Sequence, residues 1–435
     1  MVRCLLALDL GTSSFKAGVV VDSELIAEPI VVPYALDIAG ESVTCPLERY
    51  IKAALESLRT VAQTARAEGL VPDAIGIASQ AQTFVALDDL MRPLGDAIVW
   101  TDNRGAAEAA ALNDRIAPGE AWCGFAQVSG QQFLPKAAAL FKNDNVYKAR
   151  VKRLLLLNEV TAFALTGVAF GDTTSQGMGG FYDIGRRCFA ERAFELTGID
   201  PGLLGPEIGP AGSICHPLTA EVASHLALGQ IPVYLCGNDQ TCSAAGVLPV
   251  DSVGILCNFG TAMVAYSRRS ERPVGILPDQ IAGIDPLTGR YFLLGVESEC
   301  GNVIQALADR LFPHDSLEGM LQRLINADAT VNSRWAAEVV TLALARRGEL
   351  PADATSAIRD RIGIAHAVID RFAGRLNSLL AEMGVISDSG EQIAAGGLAK
   401  SDAWISLLSA RTGQRFTCVE NEQAALIGIA KVLKY

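Results

Sequence analysis

Asp9 is followed by Gly11-Thr12-Ser13-Ser14, and the group sits between two apolar runs, residues 5–8 and 17–21. Two short hydrophobic segments around a glycine and small hydroxyl residues predict a β-hairpin. Its turn has unusual chemistry. Gly11 lets the backbone approach a ligand closely, and consecutive small residues leave their N–H groups uncovered. Those amides and the Thr12, Ser13 and Ser14 hydroxyls can cradle phosphate oxygens, while Asp9, at the end of the first strand, can hold a hydrated Mg²⁺. A plain hairpin with a solvated turn accounts for the same residues equally well. The pattern recurs at residues 255–266, ILCNFGTAMVAY, where laying Gly260 on Gly11 matches residues 259–262 with 10–13. Glycine-threonine hairpins near the start of each half, at Gly11-Thr12 and Gly260-Thr261, predict two related domains offering turns to one polyphosphate.

Other candidates lie past the carboxyl ends of predicted strands, where ligands of open α/β sheets favour binding. Gln80 and Gln82 follow the strand 74–78 and can hydrogen-bond hydroxyls, or are turn residues. Asp102 and Arg104 end the segment Ile98-Val99-Trp100-Thr101-Asp102-Asn103-Arg104; they contact substrate or form a structural ion pair, the commoner fate. Asp239 and Gln240 follow the strand 231–236 and open a small-residue helix, 241–247. Asp239 is then an ordinary N-cap or a general base taking a proton from a hydroxyl that attacks phosphorus. Gly396 and Gly397 follow the strand 392–395 and let a flat ring such as adenine lie against the backbone, or make a tight turn.

The elements that position these groups follow from composition and pattern. A chain of 435 residues is too long for one core, and two domains suit it. With 50% apolar and 19% charged residues, large cores are expected. No apolar run reaches transmembrane length and no signal-peptide pattern opens the chain, so the expected location is cytoplasmic. The ten cysteines form no CxxC pair and read as reduced core thiols; the four histidines lack metal-ligand spacing. A net charge of −12 disfavours nucleic acid. Further along, residues 25–32 read as a third strand, 47–67 as a helix ended by Gly69, and 153–166 as a helix ended by Gly167. Residues 171–177 read as a polar, glycine-bounded loop. A strand at 291–295 and helices at 302–311, 360–382 and 422–434 follow, with Gly428 in the last permitting close packing. Residues 313–357 have no clear motif.

Taken together, DLGTS at 9–13, VWTDNR at 99–104, GNDQ at 237–240, FGT at 259–261, AGGLAKSDAW at 395–404 and EQAALIGIA at 422–430 resemble the FGGY carbohydrate kinase family over most of the chain. The resemblance implies an α/β fold of two ribonuclease-H-like domains, the module of actin and the Hsp70 ATPase, flanking a central cleft. It implies residues 1–230 as the sugar-binding domain and 231–435 as the nucleotide-binding one. The implied activity is ATP- and Mg²⁺-dependent phosphorylation of a sugar hydroxyl, on a ketose such as xylulose, ribulose or sedoheptulose, or a related polyol. A homodimer is admissible; nucleic acid and membrane partners are not expected.

By the same resemblance Asp9 lies near Mg²⁺, and Gly11, Thr12, Ser13, Gly260 and Thr261 hold phosphate. Gly396, Gly397 and Lys400 hold adenosine, Asp239 is the catalytic base, and Gln80, Gln82, Asp102, Asp239 and Gln240 contact sugar. Two departures stand out. Glycerol kinases carry Arg-Glu where this chain has Ala81-Gln82, which disfavours glycerol, and the Gln-Met-His-Gly of xylulokinases is absent there too. Residues 347–351 stand for a usually longer proline motif, and Pro135-Lys136 is followed by three alanines instead of the family's tryptophan. These departures motivate a rival reading, a sugar-binding pseudokinase or regulatory protein; an actin- or Hsp70-like ATPase acting on proteins is a second.

Overall fold

The computed structural model describes residues 4–116, 123–142, 145–205, 207–250, 254–327, 334–346, 348, 361–384, 391–419 and 423–434. They form two compact units: Met1–Val250 with Arg269–Phe292 and Gln423–Tyr435, and Asp251–Arg268 with Leu293–Glu422. The shortened proline motif falls, but for Gly348, outside the described residues.

The first unit runs β1 (Cys4–Leu10), β2 (Ser14–Val21), β3 (Glu24–Leu25), β4 (Ile30–Pro33), β5 (Asp37–Ala39), β6 (Ser42–Cys45), α1 (Leu47–Ala67), β7 (Ala74–Ser79), β8 (Phe84–Leu87) and β9 (Ala97–Ile98). It continues through α2 (Phe133–Lys142), β10 (Arg153–Leu156), α3 (Leu157–Thr166), α4 (Thr173–Gly179), β11 (Cys215–Pro217), β12 (Pro232–Asn238) and α5 (Asp239–Val247). The near-continuous apolar run of β1 marks a strand covered on both faces. Its side chains alternate accordingly. Leu6, Leu8 and Leu10 enter a core with Tyr50, Leu58 and Val61 of α1. Leu5 and Ala7 enter another with Cys242 of α5 and with Leu426 and Ile429 of the C-terminal helix, Ala424–Leu433.

Within this sheet β1 pairs antiparallel with β2 and parallel with β7, which pairs parallel with β12. The full order is β11-β12-β7-β1-β2-β3, with β4 also on β2. The first unit runs past the expected break at 230/231, because β12 hydrogen-bonds into this sheet. Residues 25–32 make two strands rather than one: Asp22 and Ser23 turn with positive φ, and Pro29, which has no N–H to donate, separates β3 from β4. Residues 153–156 are likewise a strand, not the start of a helix. A run of leucines carries no period that separates the two, and pairing with β8 decides it. β10, β8, β9, β6 and β5 form a second sheet in that order.

The second unit repeats the plan of the first sheet. β13 (Ile255–Phe259) pairs antiparallel with β14 (Met263–Arg269) and parallel with β16 (Glu391–Ala395), which pairs parallel with β17 (Arg415–Cys418). β15 (Tyr291–Glu297) lies beside β14. Helices α6 (Gly301–Leu311), α7 (Leu317–Ile325), α8 (Arg334–Ala345), α9 (Arg361–Glu382) and α10 (Asp402–Thr412) complete the unit, α7 and α8 lying in the stretch without a sequence motif. Among the described residues no helix is long and apolar enough to cross a membrane, and the ten cysteines are free thiols.

α5 packs on the C-terminal helix at backbone distance. A Cβ on Gly428 would stand 1.8 Å from the Cys242 carbonyl oxygen, and one on Gly246 would stand 2.1 Å from that of Ala424. Lys431 Nζ also donates to the Gly246 carbonyl, at 2.6 Å. Neither helix can admit a methyl group without moving away. Gly428→Ala is therefore expected to destabilise the protein by about 1–3 kcal/mol, the usual range for overpacking, read as a lower urea midpoint. An unchanged midpoint would show that the two helices slide freely.

Candidate active site

The carboxyl ends of β12, β7 and β1 lie side by side, with Asn238 in register with Ser79 and Ser79 with Leu10. The next residues in each chain segment are Asp239, Gln80 and Gly11, and the Gln80 amide donates to the Leu10 carbonyl at 2.9 Å. Three separate segments thus bring a carboxylate, an amide and a glycine turn to one edge, and Asp9 adds a second carboxylate.

Asp9 is 8% exposed, and its Oδ1 is buried without a hydrogen-bond partner among the described residues. Burial pushes its carboxyl up from 3.8 to about 7. The charge of Asp239 adds to the rise and Lys16 opposes it. Asp239 is raised as well, by burial, against the opposing effect of hydrogen bonds and Lys16. Two carboxyls held above their ordinary range, one with an orphaned oxygen, form a site that a divalent cation would relieve. Mg²⁺ needs no all-protein cage and is commonly held through one or two carboxylates with water. The residues fit the ion.

Asp239 is not the helix cap. Asn238 takes that place: its Oδ1 accepts the Thr241 N–H at 2.8 Å, and its own N–H donates to Thr241 Oγ1 at 3.2 Å. The Asp239 carboxylate is left to its neighbour's amide, Gln240 N–H to Oδ1 at 2.7 Å, and keeps room for a substrate proton. Gln240 is partly exposed beside it. Gln80 is 4% exposed; its side-chain amide stands beside the Tyr34 and Tyr50 hydroxyls, with no well-formed hydrogen bond in the described residues. A buried amide in that state is held for a ligand or costs stability.

Two expected sugar contacts are otherwise engaged. Gln82 (φ 65°) donates through Nε2 to the Met178 carbonyl and accepts the Phe133 N–H through Oε1 at 2.7 Å. Its amide is therefore used up in tying α2 to α4. Asp102 is fully buried, with Arg104 Nε on Oδ1 and Nη2 on Oδ2 at 2.8 Å each and the Val43 N–H on Oδ2 at 2.8 Å. Burial alone would raise its carboxyl, but the Arg104 and Val43 bonds outweigh it and hold it below the ordinary range. Asp102 and Arg104 form the buried ion pair that is one of the two expectations for them.

The first turn is braced from outside. The Tyr34 hydroxyl donates to the Gly11 carbonyl, and Trp100 Nε1 donates to Thr12 Oγ1 at 2.8 Å. The Thr12 hydroxyl proton stays available to an anion, and Ser13 is exposed. In the second unit the carbonyls of Gly260 and Thr261 accept the N–H groups of Gly301 (2.9 Å) and Cys300 (2.8 Å). Thr261 itself is exposed, as are Gly397 and Lys400 at the end of β16, and Gly396 rests against the Phe259 carbonyl.

Sequence reasoning missed two lysines and a helix. Lys16 stands directly across β1/β2 from Asp9, on the same face of the hairpin, and the register of the predicted hairpin was its signal. Lys136 is fully buried and donates to the carbonyls of Gln82 (3.0 Å) and Val99 (2.8 Å); burial pulls its ammonium down to about 7. Residues 173–179 are the buried helix α4, not a polar loop, because Asp172 caps it.

Comparisons with known proteins identify the family and the fold. Residues 4–246 match the model of the FGGY family of carbohydrate kinases, N-terminal domain. The xylulose kinase of Bacillus subtilis is 22% identical over 447 residues, which cover 100% of this chain and 88% of that protein. The ligand-bound xylulose kinase of Lactobacillus acidophilus superposes with a TM-score of 0.84 at 18% identity, over 99% of this chain and 89% of that one. The gluconate kinase of the same organism superposes with 0.84 at 17%, over the same shares. The α/β architecture of two ribonuclease-H-like domains is thereby the architecture of this chain. The chain belongs to the FGGY family of carbohydrate kinases, phosphotransferases that act on sugar hydroxyls.

Proposed function

We propose that this protein transfers the terminal phosphoryl group of ATP to a hydroxyl of a ketose or related polyol. One observation carries the reading: Asp9, Gln80 and Asp239 stand on neighbouring strand ends, and a buried oxygen of Asp9 beside them is left without a partner among the described residues. Asp239 accepts the proton of the attacking hydroxyl, and Gln80 and Gln240 hold the sugar. Asp9 holds Mg²⁺, which when bound neutralises charge on the phosphate oxygens. Gly11, Thr12 and Ser13 form one turn for phosphate, with Lys16 near Asp9 behind it, and Gly260 and Thr261 form another. Gly396, Gly397 and Lys400 take the adenosine. On this reading the first unit is the sugar-binding domain and the second the nucleotide-binding one. A ketose is favoured by the xylulose kinase of Bacillus subtilis, similar over the whole chain, and by Ala81 in place of the arginine of glycerol kinases.

The test is ADP release from Mg·ATP across a panel of ketoses and polyols. One sugar is expected to raise turnover far above the sugar-free rate. If none does, while some protect the protein from thermal unfolding, the protein binds sugar without phosphorylating it and the reading falls.

A further inference from the structure

Asp172 caps α4, yet its carboxylate accepts more bonds than a cap uses. It is 1% exposed. Its Oδ1 accepts the Ser175 N–H at 2.8 Å, and its Oδ2 accepts the Ser175 hydroxyl at 2.8 Å and Asn158 Nδ2 at 3.0 Å. The backbone N–H groups of Thr174 and Gly237 lie close to it as well and, with those bonds, work against the rise that burial gives its carboxyl. Capping α4, a helix of seven residues, needs only the Ser175 amide. The bond to Asn158 and the nearness of Gly237 go beyond what the cap requires.

Gly237 is where β12 leaves its ladder. Its φ is 100°, and the register of β12 against β7 shifts between Leu235 and Asn238. Bulges of this kind re-aim the side chains that follow them and recur beside active sites. A side chain at 237 would meet Thr174 Cγ2 at 3.1 Å, Thr241 Oγ1 at 3.2 Å and Pro286 Cβ at 3.3 Å. The residue is thus clamped between α4 and the start of α5, two positions before Asp239.

We infer that Asp172 is a positioning residue for phosphoryl transfer, fixing the bend at Gly237 that aims the Asp239 carboxylate. The inference rests on Asp239 being the general base. Asp172 touches no substrate; it acts through Gly237, and α3 supports it through Asn158. Misplacing a reacting group by an ångström or less costs up to about 100-fold in rate, which is the scale at which such a strut is felt.

Asp172→Asn turns one acceptor into a donor facing donors. It is expected to lower kcat by about 10- to 100-fold, with KM for ATP and sugar within about twofold and the unfolding midpoint close to that of the parent. Adding Asn158→Asp returns an acceptor opposite the new amide and should recover most of kcat. Gly237→Ala should lower kcat in the same way, and the Asp172→Asn/Gly237→Ala pair should lose no more than the worse single variant, since the two act in one chain of contacts. Parental kcat in Asp172→Asn, or losses that multiply in the pair, would overturn the inference. Should Asp172→Asn not fold, Asn158→Ala reads the same strut, and parental kcat there overturns it. Asp239→Asn run alongside separates the two questions. Full turnover in that variant removes the base itself, whereas an inactive Asp239→Asn with an unaffected Asp172→Asn removes only the strut.

Discussion

Asp239→Asn is expected to lower kcat by about 10²–10⁴, the range that general-base catalysis supplies, while the protein stays folded. The two halves of that expectation are separable because Asn238, not Asp239, caps α5. Removing the Asp239 carboxylate leaves the bonds at the helix start in place, so the unfolding midpoint should hold. In the parent enzyme kcat should fall as pH drops, because the base must be ionised to accept a proton. Burial raises the Asp239 carboxyl to about 6, so this acid limb lies above the ordinary carboxylate range. In the variant the limb should disappear along with the rate. A variant that keeps both the parental rate and the parental limb would assign the proton to another group.

The second large effect has the opposite sign for stability and for activity. Asp9 is ionised in the unfolded chain above its ordinary value of 3.8, whereas burial and the neighbouring Asp239 keep it protonated in the fold up to about 7. Between those values the folded state binds the extra proton, so stability declines as pH rises. Without metal, the parent should lose stability from about pH 4 to 7. Asp9→Asn should lack its share of that decline, most plainly between about pH 6 and 7, where Asp239 has already ionised. At pH 7.5 it should be the more stable protein by ~1–3 kcal/mol, since each tenfold difference in proton affinity between fold and unfolded chain is worth ~1.4 kcal/mol. Its turnover should be lost, because the amide cannot hold Mg²⁺ as a carboxylate does. Thermal melts across pH in chelator, beside ADP release, check both. A less stable Asp9→Asn at pH 7.5 would mean that Lys16 fully compensates the buried charge. Strain of this kind at a functional position, released by substitution, is a common stability–activity exchange.

Much of the plan is legible in local pattern. The hairpin around Gly11, its echo at Gly260, the helix of α1 and the carboxylate after β12 all follow from signals within some twenty residues. What escapes depends on partners distant in the chain. Nothing near Gln82 says that its amide meets Met178 and Phe133, and nothing near Asp102 beyond Arg104 points to the Val43 amide. In sequence both are polar groups past a strand end, which is where ligands and structural ties alike are found. The strand at 153–156 is hidden by a uniform leucine run, and α4 by the glycines and hydroxyl residues that usually mark loops. At 153–156 pairing with β8 overrides propensity, whereas at α4 the signal is local, the Asp172 cap.

The close contact between α5 and the C-terminal helix also bears on how the protein is made. Leu5, Ala7, Val20 and Ala74 are covered by Leu426 and Ile429, yet the whole of the second unit is translated between them. At roughly 5–20 residues per second, that face of the first sheet waits on the order of 10–35 seconds for Ala424–Leu433 to leave the ribosome. A nascent chain in that interval carries a sheet with one apolar side covered only in part, by α5, an attractive target for chaperones. A stop codon just before Ala424 would leave it in that condition permanently.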